Sequence, residues 1–274
     1  MRNIFLILLI FLSCLLLVFF VYHEDPKEVK FSTYVINLDR APEKLTNMKS
    51  LLDMHLLEFE RIRAVDGYEI DITDKETGEV FKGKDLKNGK AKLKDIHEYY
   101  IDCGRDKGIN YIHNTKILKL SAGEMGCICS HRLAYFNLLQ SENDYTVIFE
   151  DDLKILNKEF LFLLHSALNN MPKNSVVYID AWGPDTEDIQ RNNGTGNLFI
   201  KLEKGPNIFG TYALIIDKIA AKLLLSEIIQ YRPIDITIGK EIVKKTISGY
   251  LFNKRTVSVY RDSESDITKM GRGH

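Results

Sequence analysis

Thr33-Tyr34-Val35-Ile36-Asn37-Leu38, with Pro42 close behind, is the stretch whose reading decides the fold class. Its β-branched and aromatic residues mark a short buried strand. Pro42 suits the first turn of a helix, and Leu45, Met48, Leu51, Leu52 and Leu56 follow as an apolar stripe at helical spacing. A strand feeding a helix at the head of a domain opens an α/β sheet. Further along, Val65-Asp66-Gly67 supplies a turn. From about 68 to 118 the chain is lysine-rich and broken by Gly78, Gly83, Gly89, Gly104 and Gly108, which reads as a variable, irregular insertion with short elements.

Order returns at Ser121-Ala122-Gly123-Glu124, which has the form of a capping box, serine and glutamate satisfying the orphan amides of a helix start. Met125, Cys129, Leu133, Phe136 and Leu139 then face a core. Tyr145-Thr146-Val147-Ile148-Phe149 is a strand that runs directly into Glu150-Asp151-Asp152. Ser175 to Ile179 and Thr211 to Ile216 read as further strands. Lys218 to Gln230 reads as an amphipathic helix with Asp217 as its N-cap. There is no internal repeat and no long low-complexity linker, so residues 26–274 are expected to form one α/β domain.

The 274 residues are 45% hydrophobic and 27% charged, a balance that excludes a disordered chain. Lys and Arg total 37 against 38 for Asp and Glu. A nucleic-acid-binding face would show a cationic excess, so no such partner is expected. Of the four cysteines, Cys14 lies in the apolar start, and Cys103, Cys127 and Cys129 allow at most one intrachain disulfide. Asn193-Gly194-Thr195 is a glycosylation sequon, with meaning only in a compartment that glycosylates.

From Ile4 to Tyr22 Ser13 is the only clearly polar residue. Such a run, at about 1.5 Å per residue, nearly spans a hydrocarbon core of about 30 Å. A cleaved signal peptide is the rival reading, but its apolar region is shorter and ends at small residues, which Val21–Asp25 does not offer. The expectation is one transmembrane signal anchor within residues 1–25. Arg2 before it, and His23, Glu24 and Asp25 after it, leave the N-terminus cytosolic and the domain on the non-cytosolic side.

The acidic triplet carries the strongest local chemistry. Three neighbouring carboxylates repel one another unless solvent or a cation neutralises them. If the backbone stays extended, Glu150 and Asp152 share a face and Asp151 points away. Two hard oxygen ligands on one side suit Mn²⁺ or Mg²⁺, which commonly hold a substrate phosphate as well. The plainer alternative is a solvated strand end. In α/β sheets, however, the carboxyl ends of strands border the ligand crevice.

On the helix from Ser121, Glu124, Cys127, Ile128 and His131 share one face. Gly123 and Gly126 let other groups approach the backbone, and a helix N-terminus attracts anions. His131 is placed to bond a ribose or phosphate, or to arrange the carboxylates; its plainer alternative is a structural role. Cys127-x-Cys129-x-His131 makes a poor zinc site, because the two cysteines diverge by about 200° on a helix and a closed site needs four ligands.

Together these stretches resemble glycosyltransferase family 25, which includes lipooligosaccharide and collagen hydroxylysine galactosyltransferases. The likeness rests on Tyr34 to Arg40, Ala64 to Gly67, Ser121 to His131 and Val147 to Leu153, and continues through Gly210 to Ile215, Pro233-Ile234-Asp235 and Ser263 to Ile267. The resemblance implies a GT-A-like fold, a Rossmann-type sheet flanked by helices. It implies Asn37 and Arg40 near a donor nucleotide and Asp66 near its base or ribose. Gly123, Glu124, Ser130 and His131 belong to the same donor-binding block. Glu150, Asp151 and Asp152 would stand in for the family's Asp-x-Asp-type metal site, with Asp152 the foremost ligand. Lys44 sits where the family often has arginine, which weakens a bidentate phosphate role there. If transfer inverts the anomeric carbon, one carboxylate deprotonates the acceptor; Asp235 is the first candidate and Asp180 the second, a helix-cap and a turn role being their plainer alternatives.

The implied function is metal-dependent transfer of a hexose, galactose or glucose, from a UDP-sugar to a glycan, lipid-linked saccharide or protein. Two rivals stand beside it. A non-catalytic binding or assembly protein on a membrane would not need the intact triplet. A metal-dependent phosphohydrolase would bring further Asp- or His-rich motifs, and none is found.

Overall fold

The computed structural model describes residues 29–86, 97–104, 109–114, 120–155, 159–182, 198–202, 209–227, 229–230, 232–253 and 256–259. The expected transmembrane anchor, the sequon at Asn193 and the stretch from Ser263 to Ile267 lie outside the described residues. Among the described residues no helix is long and apolar enough to cross a membrane.

The opening strand forms as its residue types dictate. β1 (Phe31–Asn37) lies between β2 (Glu60–Arg63) and β7 (Tyr145–Glu150), parallel to both. The sheet continues through β11 (Ala213–Asp217), β9 (Ser175–Tyr178), β13 (Ser248–Phe252) and β10 (Phe199–Lys201). β11 runs antiparallel to both its neighbours and β10 to β13, so this seven-stranded sheet is mixed. β11 is buried along its whole length and β7 along most of its own, as befits central strands covered on both faces.

Period-two alternation assigns the faces. Tyr34, Ile36 and Ile148 join the core cluster around helix α2 (Ala122–Gln140). On the other face, Phe149 meets Phe160 of helix α3 (Phe160–Asn170), ring centroids 6.1 Å apart. Helix α1 (Pro42–Asp53) packs Met48 and Leu52 inward. Its apolar stripe does not extend to Leu56, which lies past the helix end at φ 54° and is 87% exposed.

The stretch expected to be an irregular insertion is a second sheet. β3 (Asp71–Asp74), β4 (Val80–Lys82), β5 (Glu98–Gly104) and β6 (Ile109–Asn114) pair antiparallel, in the order β6-β5-β3-β4. Tyr99, Ile101 and Cys103 on β5, with Ile109 and Tyr111 on β6, alternate inward onto α2. Cys103 and Cys129 form a disulfide that ties β5 to that helix.

Helix α2 therefore touches both sheets, and a helix covered all round is apolar all round rather than striped. Its Arg132 is buried and donates to the carbonyls of Leu224, Leu225, Glu227 and Asn110. Three of those close helix α4 (Lys218–Ser226), supplying the partners that a helix end lacks. The helix expected to run to Gln230 thus stops at Ser226, and β12 (Ile229–Gln230) pairs with β6 instead. Asp217 caps α4 as expected, accepting from the Ala220 amide at 2.7 Å.

Candidate active site

Three parallel strands end together. Ile36 is opposite Glu150, and Asn37 is opposite Arg63, so the carboxyl ends of β2, β1 and β7 open side by side. A cleft lies there, open to solvent, with a wall formed by the first turns of α2.

That wall depends on glycine. A Cβ on Gly67 would stand 1.8 Å from the Ala122 carbonyl oxygen, and one on Gly126 would stand 2.6 Å from that of Val65. No side chain fits at either position. The loop from Ala64 to Gly67 is clamped further by Ser130, whose hydroxyl accepts from the Val65 amide at 2.9 Å and donates to the Gly126 carbonyl at 2.7 Å. Glu124 closes the capping box, its Oε2 accepting from the Ser121 amide at 2.8 Å and the Ser121 hydroxyl at 2.9 Å. Gly123, Ser130 and His131 all line the cleft, whereas Glu124 acts through the cap.

The carboxylates do not alternate as an extended strand would place them. β7 ends at Glu150, Asp151 and Asp152 turn, and all three line the cleft. Asp151 is not turned away. Its Oδ2 accepts from Asn37 Nδ2 at 2.7 Å, and Lys44 Nζ stands 3.7 Å from its Oδ1. Glu150 Oε1 accepts from the Thr211 hydroxyl at 2.9 Å and faces His131 Nε2 at 3.3 Å. Burial first, then the charges of Glu150 and Asp151, push the Asp152 carboxyl up to about 7, against the opposing pull of Lys44. Its Oδ1 is buried and makes no hydrogen bond.

This environment fits a hard divalent cation. Oxygen acceptors crowd one wall, and one buried carboxylate oxygen has no donor to meet it. Among the described residues, the side chains whose ligand atoms already lie within 4.8 Å of one another are Cys127, His131 and Glu150, not the acidic triplet. Burial, with Glu150 and Asp235 next in effect, pushes the Cys127 thiol well above its ordinary range. Cys129 is no ligand, since its sulfur is bonded to Cys103.

The other expected residues do not line the cleft themselves. Asn37 is buried and positions Asp151, also donating to the Ala41 carbonyl at 2.8 Å. Arg40 and Asp66 pair with each other beside the cleft, Asp66 also accepting from the Tyr68 amide and Arg40 lying 5.9 Å from the Tyr68 ring centroid. Asp235 lies in the first turn of helix α5 (Ile234–Val243), with Oδ2 accepting from the Gly210 amide at 3.2 Å. It does not cap that helix, whose N-cap is Pro233. Asp180 is buried and accepts from the Tyr212 hydroxyl at 2.9 Å.

Sequence reasoning missed Thr211 and the full place of Lys44. Thr211 reaches Glu150 across 61 residues, a link no local pattern carries. Lys44 could have been found from its place in the first turn of α1, next to the strand end that bears Asn37.

A family model described as glycosyltransferase family 25 (LPS biosynthesis protein) matches residues 31–238. Among curated proteins none matches the chain.

Proposed function

The chain belongs to glycosyltransferase family 25, and from that membership we propose that it transfers a hexose from a nucleotide-sugar donor to a hydroxyl of a glycan, lipid-linked saccharide or protein. Galactose or glucose carried by UDP is the donor we favour, on a GT-A-like arrangement with the donor at the carboxyl ends of β2, β1 and β7. One observation carries the reading: Glu150, Asp151 and Asp152 line one cleft with the first turns of α2.

The residues divide the work by their chemistry. Asp151 and Asp152, with Glu150 behind them, would hold Mn²⁺ or Mg²⁺. Such ions are usually bound by one or two carboxylates plus substrate phosphates, so a closed cluster of protein ligands is not required. When bound, the cation supplies charge neutralisation of the diphosphate and Lewis acidity at the leaving nucleotide. Asn37 fixes the Asp151 carboxylate through Nδ2. His131 and Thr211 fix Glu150 through one oxygen. The N-terminus of α2, brought close by Gly123 and Gly126, offers partial positive charge to an anion. Arg40, Asp66 and Tyr68 would receive the nucleoside at the rim. Asp235 takes the acceptor proton in an inverting displacement, with Asp180 as second candidate. The domain faces the non-cytosolic side of a membrane, held by the apolar segment 4–22.

Incubating the full chain with a panel of UDP- and other nucleotide-hexoses and Mn²⁺, and measuring nucleotide release, tests this reading. Release that needs the metal and is lost in Asp152→Asn is the expected result. Equal release by that variant would remove the metal assignment, and no release from any donor would favour a binding protein that keeps the fold.

A further inference from the structure

Trp182 is the single tryptophan of the chain and is 49% exposed. Exposed aromatic residues are common on protein surfaces and need no role of their own. The setting of this one is different. Its backbone pairs with Phe209 in an antiparallel bridge, amide to carbonyl in both directions at 2.9 and 2.7 Å. The two rings lie 5.0 Å apart, centroid to centroid. Two anchors, backbone and ring, therefore hold the indole in place.

What it is held against matters more. Gly210 adopts φ +94°, and a Cβ there would stand 3.0 Å from Trp182 Cδ1 and 2.6 Å from the Tyr212 ring. The amide of the same Gly210 donates to Asp235 Oδ2 at 3.2 Å. The next residue, Thr211, donates to Glu150. One three-residue segment thus joins the indole, the Asp235 carboxylate and the metal-side carboxylate. Phe209 and Thr211 are at most about 7 Å apart along the chain.

Resting on the transfer reading, we propose that Trp182 is a stacking platform for a pyranose ring of the acceptor, holding one hydroxyl of that ring toward Asp235. A pyranose has a C–H face and a hydroxyl rim. The negative face of an indole attracts polarised C–H groups, while the rim stays free for hydrogen bonds. The charge pattern separates acceptor from donor. The carboxylates of Asp180 and Asp235 on this side repel a diphosphate, whereas a neutral hydroxyl-rich ring is compatible with both. The α2 N-terminus and Lys44 line the cleft together with the acidic triplet, where anionic phosphates belong. The acceptor class is therefore a saccharide terminus, or a hexose on a lipid or protein, rather than a bare side-chain hydroxyl.

Because no other tryptophan is present, its emission reports on this position alone. The full chain in detergent, with UDP-hexose and Mn²⁺, is first screened with methyl β-glucoside, methyl β-galactoside and lactose for acceleration of nucleotide release. Tryptophan emission is then followed as an accelerating glycoside is titrated in the presence of UDP and Mn²⁺. The expected result is a saturable blue shift whose midpoint tracks the acceptor KM. Trp182→Ala should raise that KM about tenfold or more, with Trp182→Phe recovering part of the loss. Acceleration without an emission change, or with an unaltered KM in Trp182→Ala, overturns this inference alone. If no glycoside accelerates release while the donor is still hydrolysed, the platform is overturned and the donor site stands. If the donor is not turned over at all, the transfer reading falls and this inference with it.

Discussion

His131 Nε2 stands 3.3 Å from Glu150 Oε1, the same oxygen that accepts the Thr211 hydroxyl at 2.9 Å. A helix side chain and a loop side chain, 80 residues apart in sequence, thus meet on one atom at the end of the central strand. The Glu150 carboxylate is fixed in place by partners on both sides.

His131→Gln tests that positioning. Groups that orient a metal ligand without binding the metal themselves typically contribute 10–100-fold in affinity. Mn²⁺ affinity is expected to fall by about that factor, measured by titration calorimetry on chelator-treated protein. An affinity equal to wild type would show that Glu150 needs no such support.

Cys103→Ser tests the link between the second sheet and the site helix. The disulfide closes a separation of 26 residues. Loops of that size give about 2–4 kcal/mol of stabilisation. The variant should melt several degrees lower, and reductant should lower the wild type to the same point while leaving the variant unmoved. A wild type insensitive to reductant would contradict the pairing.

Asp217 supplies a pH test remote from the site. Burial raises its pKa, and the amides of Ala220 and Asn174 oppose the rise. An acid whose folded pKa is raised stabilises fully below its unfolded pKa, about 3.8, and that contribution is lost as pH rises through the folded value. Asn caps helices about as well as Asp, so Asp217→Asn keeps the cap and removes the titration. The variant's melting temperature relative to wild type should therefore rise as pH increases above about 4. A constant difference across that range would show that burial does not govern this carboxyl.

Local chemistry was legible in the sequence and long-range chemistry was not. Ser121 with Glu124, and Asp217 before its helix, were readable because a cap is settled within three residues. The opening strand was readable because its side chains alone identify it. The second sheet was missed even though Tyr99, Ile101 and Cys103 alternate correctly. Glycines and lysines on either side masked the alternation, and the partner strands are supplied by distant pairing. The course of the chain at Asp151 was left open for a similar reason. Whether the strand continues past Glu150 depends on contacts such as the bond from Asn37, 114 residues away in sequence. The platform at Trp182 gives no local sign, since only the folded chain brings Phe209 and Gly210 against it.

The most direct test of the account follows Mn²⁺ binding by electron paramagnetic resonance, with and without UDP, in the wild type and in Asp152→Asn. Cation and diphosphate sharing one site must strengthen each other's binding by the same factor. The expected result is one bound Mn²⁺ per wild-type chain, tightened by UDP, with both the binding and the tightening lost in the variant. Mn²⁺ bound equally by both proteins, or indifferent to UDP, would contradict it.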